Sequence, residues 1–176
     1  VTRAEFLKMA MDSFGIVGHA YRDGECLDAT NDDWYCYYLQ GALDKDIIPK
    51  EMIENCDFTN VTKTLKESTE KEKAVRANVN VYTGKFYGDK PITREEMAVI
   101  ATRCKNYKMR NWRDWDNERR YPIFSFKDSD EIDEKYISYV VEAYDLNYID
   151  GMEEGRFAPK ENLTRAQAAV VMNNLK

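Results

Sequence analysis

Three stretches of the chain carry the same alternation of apolar and polar positions: Val1-Thr2-Arg3-Ala4-Glu5-Phe6, Ile92-Thr93-Arg94-Glu95-Glu96-Met97 and Leu163-Thr164-Arg165-Ala166-Gln167-Ala168. Beyond each Thr the apolar positions continue at helical spacing, as Phe6, Met9 and Ala10, as Met97, Ile100 and Ala101, and as Ala168, Val171 and Met172. That period places one amphipathic face, in one register, on each of three helices. Thr is the N-cap, and Glu5, Glu96 or Gln167 reaches back to the cap's own N–H to complete a capping box. The apolar residues before each Thr and at the start of each face form a hydrophobic staple that fixes how the chain enters the helix. Three such helices are most simply packed against one another around a shared axis.

A second pattern recurs between the caps. Cys26-Leu27-Asp28 and Phe126-Lys127-Asp128 open it. Helical stretches follow in which Trp34, Tyr38 and Ala42 align with Lys135, Tyr139 and Ala143, each trio on one helix face. Asp46-Ile47-Ile48-Pro49 and Asn147-Tyr148-Ile149-Asp150-Gly151 end these helices, with Pro and Gly as the stop signals. Gly84-Lys85-Phe86 and Gly155-Arg156-Phe157 precede the second and third caps at the same distance, which predicts a tight turn plugged by a buried Phe. Thr93 stands farther from Thr2 than Thr164 does from Thr93, so the middle repeat carries extra chain. The excess falls at about 51–82, where the polar run from Lys63 to Lys73 reads as a solvated helix or loop.

Capping does not account for Arg3, Arg94 and Arg165. A cation in the first turn opposes the positive end of the helix dipole, at a cost of a few tenths of a kcal/mol or more. Two readings explain its recurrence. Either the guanidinium and the free backbone donors form a receptor for a carboxylate or phosphate, or each Arg pairs with an internal Asp or Glu.

Composition narrows the function. With 43% hydrophobic and 33% charged residues, the chain of 176 residues can bury a core beneath a solvated surface. A net charge of −6 argues against nucleic acid as the main partner. No apolar run reaches the length of a membrane span. The chain opens directly on a helix cap, which we read as a piece of something longer. Cys26, Cys36, Cys56 and Cys104 permit two disulfides in three connectivities, or Cys26 and Cys104, which stand where the third repeat has Phe126 and Leu175, serve as small buried hydrophobes. Their spacing is not that of a zinc site. The segment 105–124 interleaves Trp112 and Trp115 with Arg110, Arg113, Arg119 and Arg120, a pattern that either stacks on a sugar or base or packs its rings on the domain. The acidic run from Asp128 to Asp133 lacks the Gly and terminal Glu of a calcium loop. His19 is the only histidine, no nucleophile motif is present and no carboxylate pair has a catalytic setting, so no enzyme is expected, and neither metal nor cofactor.

In order, an aromatic-x-Asp opening, a Trp-started helix, a Gly-x-Phe turn and a Thr-Arg-Ala-Glu helix resemble the S-layer homology family. The third repeat, 125–176, carries the likeness throughout. The second, 19–104, carries it on both sides of the insertion, and the first is present as its second half, 1–18. The resemblance implies a mainly all-α fold, a pseudo-threefold prism around a central three-helix bundle. It also implies a non-catalytic module that anchors a larger surface protein to the cell wall or S-layer of a Gram-positive-type bacterium by binding pyruvylated secondary cell-wall polysaccharide. By matching position the glycan-binding residues are Arg3, Arg94, Arg165, Asp28, Asp128 and Trp34, with Lys135 and Tyr136 where the third repeat departs from Trp. Grooves between one signature helix and the next Trp-bearing helix would join Arg3 with Trp34 and Arg94 with Lys135. The other expectation is a protein-interaction or S-layer assembly module with degenerate grooves.

Overall fold

All three Thr residues cap a helix. A computed structural model describes residues 1–18, 25–30, 32–65, 75–105 and 126–176. In it α1 (Arg3–Ser13), α3 (Arg94–Cys104) and α5 (Arg165–Asn174) each begin with a complete capping box. Between them lie the short strands β1 (Glu25–Cys26) and β2 (Ala29–Thr30), helix α2 (Cys36–Asp44), the long strands β3 (Glu54–Leu65) and β4 (Val75–Lys85), and helix α4 (Ile137–Asp145). The fold is mainly α.

The staple residues do more than set entry angles. The Ile92 N–H donates to the carbonyl of Val1, the Leu163 N–H to that of Ile92, and the Val1 amine to that of Leu163 at 3.2 Å, closing a ring through the three helix starts. Phe6, Ile92, Met97 and Leu163 are buried around it. Helix α1 packs on α2, α3 and α5, and α4 packs on α3. The three faces share a register but not an environment. Lying between α1 and α4, α3 is buried on nearly every side, whereas α5 buries Ala168 and Val171 and leaves Val170 exposed.

Helices α2 and α4 stop at Asp44 and Asp145, ahead of Pro49 and Gly151. Asp46 and Asn147 take the left-handed conformation (φ 55° and 57°). The next N–H groups, of Ile47 and Tyr148, bond back to Ala42 and Ala143 at 2.7 and 2.9 Å, a Schellman closure. The expected turns are present, and each is held by the Asp that opens its repeat. The Asp28 carboxylate accepts from the N–H groups of Phe86 and Tyr87 at 2.7 and 2.8 Å. Asp128 accepts from Phe157 and Ala158, both at 2.8 Å. Tyr87 and Ala158 sit at positive φ (54° and 58°), so each carboxylate fixes a backbone that a side-chain-bearing residue resists.

Of the polar run read as a solvated helix or loop, Lys63 to Leu65 lie instead on a strand, and the remainder to Lys73 falls outside the described residues. The flanks of the insertion form an antiparallel ribbon, β3 on β4, paired from Glu54 with Lys85 to Leu65 with Val75, with an irregularity after Glu54 where Asn55 has φ 52°. Thr59, Val61, Thr62 and Thr64 lie on β3 and Val75, Val79 and Val81 on β4, and such β-branched residues favour the extended chain even among polar neighbours. The aromatic-basic stretch around Trp112 and Trp115, His19, and the insertion residues 66–74 lie outside the described residues. Cys36, Cys56 and Cys104 are free thiols, so two disulfides do not form. Burial pushes the Cys104 thiol up to about 12, as befits a core residue.

Candidate functional site

The signature helices α1 and α3 each receive the turn of the following repeat on their N-terminal donors. The Arg3 and Ala4 N–H groups reach the carbonyls of Lys90 and Gly88, both at 2.9 Å, and those of Arg94 and Glu95 reach Glu161 and Pro159 at 3.0 and 3.1 Å. The donors proposed to receive an anion are therefore already satisfied at α1 and α3.

The Arg side chains follow the same geometry. Arg3 is buried, with Nε 3.1 Å from Glu96 Oε2, a second guanidinium nitrogen on Glu96 Oε1, and the third donating to the Phe86 carbonyl at 2.6 Å. Burial would push the Glu96 carboxyl up, but the bonds and charge of Arg3 and the Thr93 N–H outweigh it and hold it below the usual range. Arg94 is equally buried and, among the described residues, bonds only carbonyls, with Nε 2.7 Å from Phe157 O and a terminal nitrogen 2.8 Å from Asp150 O. Its guanidinium lies over the Phe157 ring at 5.1 Å. Desolvation lowers its pKa against the pull of Glu161, Asp128 and Asp150. Arg165 is exposed and makes no hydrogen bond or ion pair among the described residues.

Beside Arg3 lies an open cleft of about 400 Å³. Its walls are the start of α1, the segment from Glu51 to Glu54, the start of α3, and the turn from Asp133 to Tyr136, with Tyr87, Lys90 and Lys160 at its edges. Lys135 donates to the Glu51 carbonyl at 3.2 Å and lies 4.6 Å above the Tyr136 ring. The buried Tyr136 hydroxyl donates to the same carbonyl at 3.2 Å, and burial raises its pKa. Lys160 bridges Glu95 and Asp133, each at 2.7 Å. Burial raises the Glu95 carboxyl against the lowering effect of Lys160 and the Asp133 N–H. A second depression, of about 530 Å³, is lined by Glu153, Glu154 and Glu161 against the single cation Arg156, a poor receptor for an anion.

The structure thus gathers Arg3, Lys135 and Tyr136 into one cleft and leaves the other sequence candidates outside it. The sequence pairs Arg3 with Trp34 and Arg94 with Lys135, whereas this cleft joins Arg3 with Lys135 and is lined by neither Trp34 nor Arg94. The turn of repeat two covers the start of α1, so the element left to close the cleft belongs to repeat three, and Lys135 meets Arg3. Trp34 stands ahead of α2, half exposed and edge-on to Tyr35 at 5.6 Å. Asp28 and Asp128 hold turns, and burial of Asp128 is outweighed by its two N–H donors, which keep its carboxyl below the usual range. Sequence reasoning missed Lys90, Lys160 and Glu95. Of these only Glu95 gave a signal, as the one acidic residue where the other two signatures have Ala.

The family model described as the S-layer homology domain matches residues 79–98 and 125–169, which cover the second turn and cap and most of the third repeat. Over 99% of its length the chain is 31% identical to an exoglucanase, XynX, of Acetivibrio thermocellus, of which it spans 13%. It is 29% identical over 99% of its length to an amylopullulanase of Thermoanaerobacterium thermosulfurigenes, spanning 7% of that protein. An endoglucanase of Bacillus sp. (strain KSM-635) is 36% identical over 52% of the chain, which spans 9% of it. The chain therefore corresponds to a small part of each of these relatives.

Proposed function

The chain belongs to the S-layer homology family, and from that premise we propose that it is a non-catalytic module anchoring a larger surface protein to the wall of a Gram-positive-type bacterium. It does so by binding an anionic, pyruvylated secondary cell-wall polysaccharide. In this reading residues 1–18 are the second half of one repeat, 19–104 a repeat carrying the ribbon, and 125–176 a third, with 105–124 as connector. The observation that carries the proposal is the cleft beside Arg3, where Lys90, Lys135 and Lys160 converge with Tyr87 in a volume fit for a sugar unit. The enzyme names belong to relatives of which this chain spans 13% or less, so no hydrolysis is transferred with the likeness.

Co-sedimentation with Gram-positive sacculi, before and after mild acid removes ketal-linked pyruvate, tests the proposal. Retention that falls with loss of pyruvate is expected. Retention indifferent to pyruvate would refute the anion, and no retention on any sacculi that keep their polysaccharide would refute the anchor.

A further inference from the structure

Resting on the reading of the cleft beside Arg3 as the glycan site, we propose that the anion is held there by Lys90 and Lys135, with Arg3 bracing the fold behind them. The ligand class that follows is an acidic sugar rather than a bare carboxylate or phosphate.

The argument is an inventory of charge. Four cations line the cleft, Arg3, Lys90, Lys135 and Lys160. Arg3 has both oxygens of Glu96 and the Phe86 carbonyl as partners, so its charge is neutralised where it stands. Lys160 lies between the carboxylates of Glu95 and Asp133. The other two have no carboxylate bonded to them among the described residues. Lys90 lies near enough to Glu96 to help lower its carboxyl, but both Glu96 oxygens are already bonded by Arg3. Lys135 is steadied by one carbonyl and one ring, a geometry that fixes the ammonium yet spends one of its three donors. An ammonium held in place without a counter-charge is ready to receive one.

Glu51 and Glu54 line the same cleft, with no cation bonded to either among the described residues. A small bare anion meets these carboxylates as like charges. A sugar that presents hydroxyls to them and its acidic group to the two lysines satisfies both.

The test uses the full chain and sacculi that retain their polysaccharide, with retention titrated against NaCl. Lys90→Met and Lys135→Met should each weaken retention about tenfold and the pair about a hundredfold, with a shallower salt dependence. Lys127→Met, outside the cleft, should retain normally. Acetylation by acetic anhydride should spare Lys90 and Lys135, and not Lys127, once soluble polysaccharide is added. Inorganic phosphate at matched concentration should give no such protection. If the double variant sediments like the wild type, the anion contact lies elsewhere and the anchor reading stands without it. If the wild type itself is not retained, the anchor fails and this assignment with it.

Discussion

Replacing Arg3 should destabilise the fold, whatever it does to binding. The Arg3 and Glu96 side chains are each 7% exposed, so Arg3→Ala strands a carboxylate in the interior and orphans the Phe86 carbonyl. Breaking a buried pair from one side costs about 3–5 kcal/mol, a large share of the ~5–15 kcal/mol by which a domain is stable. For a chain of this size that is a fall in Tm of roughly 6–20 °C. Glu96→Gln is the informative partner. Gln167 shows that Gln can complete the same capping box, and the buried Arg94 shows that a guanidinium at this place can rest on carbonyls alone. Glu96→Gln should therefore cost less, about 1–3 kcal/mol. The double variant should cost less than the sum of the two, since each change removes the same interaction. Urea unfolding followed by circular dichroism measures all four corners of the cycle. Because the Glu96 carboxyl is held below its ordinary value, the pair's contribution is full at neutral pH and is lost as pH falls through the folded value. The acid limb of the stability curve should flatten in Arg3→Ala. Unfolding of Arg3→Ala within about 0.5 kcal/mol of wild type would refute the account.

Asp128→Asn should lower stability by about 1–3 kcal/mol at neutral pH. Because this carboxyl is also depressed in the folded state, the deficit should shrink as pH falls, which thermal melts across pH 3–7 would show. Glu95 runs the other way. Burial raises its carboxyl, so its charge costs stability above the folded value and the cost is relieved on acidification. Glu95→Ala, the residue in the other two signatures, should erase that acid-side gain in the same melts. The paired turn glycines should respond unequally: a Cβ at Gly84 (φ 129°) would stand 2.7 Å from the Glu54 carbonyl and from Ile53, whereas at Gly155 (φ 73°) it meets open space. Gly155→Ala should cost only the left-handed strain, about 1–2 kcal/mol, and Gly84→Ala distinctly more in urea unfolding.

What the sequence made legible was local. Thr2, Thr93 and Thr164 announce helices because the cap, the residue that answers it and the apolar staple lie within one turn of chain. Gly84 and Gly155 announce turns for the same reason. What it hid was partnership at a distance. Glu96 reads as a capping residue and is one, but it also neutralises Arg3 from the next repeat, and nothing local distinguishes the two duties. Lys90 and Lys160 read as ordinary surface lysines, and only the approach of repeats two and three gives them a common cleft. The ribbon was hidden by composition, since a polar run tells of solvent on its faces and not of which backbone geometry supplies its hydrogen bonds.

At two of its three occurrences, the Arg after the cap now has a physical reason that needs no ligand. At α1 and α3 the guanidinium reaches the carbonyl of the Phe that plugs the following repeat's turn, Phe86 for Arg3 and Phe157 for Arg94. The dipole penalty of a cation in the first turn, a few tenths of a kcal/mol, is outweighed by even one charge-assisted bond to a buried carbonyl, about 1.5–3 kcal/mol. Arg is thus a clasp from each repeat to the next, and the residue closing the capping box of that next repeat decides whether the clasp is neutralised. Glu96 neutralises Arg3. Gln167 stands at the position that would answer Arg94, which stays a buried cation resting on two carbonyls. The placement of the arginines therefore carries no weight for glycan binding at these two sites, and that reading stands on the cleft and on the lysines that the clasp leaves uncommitted.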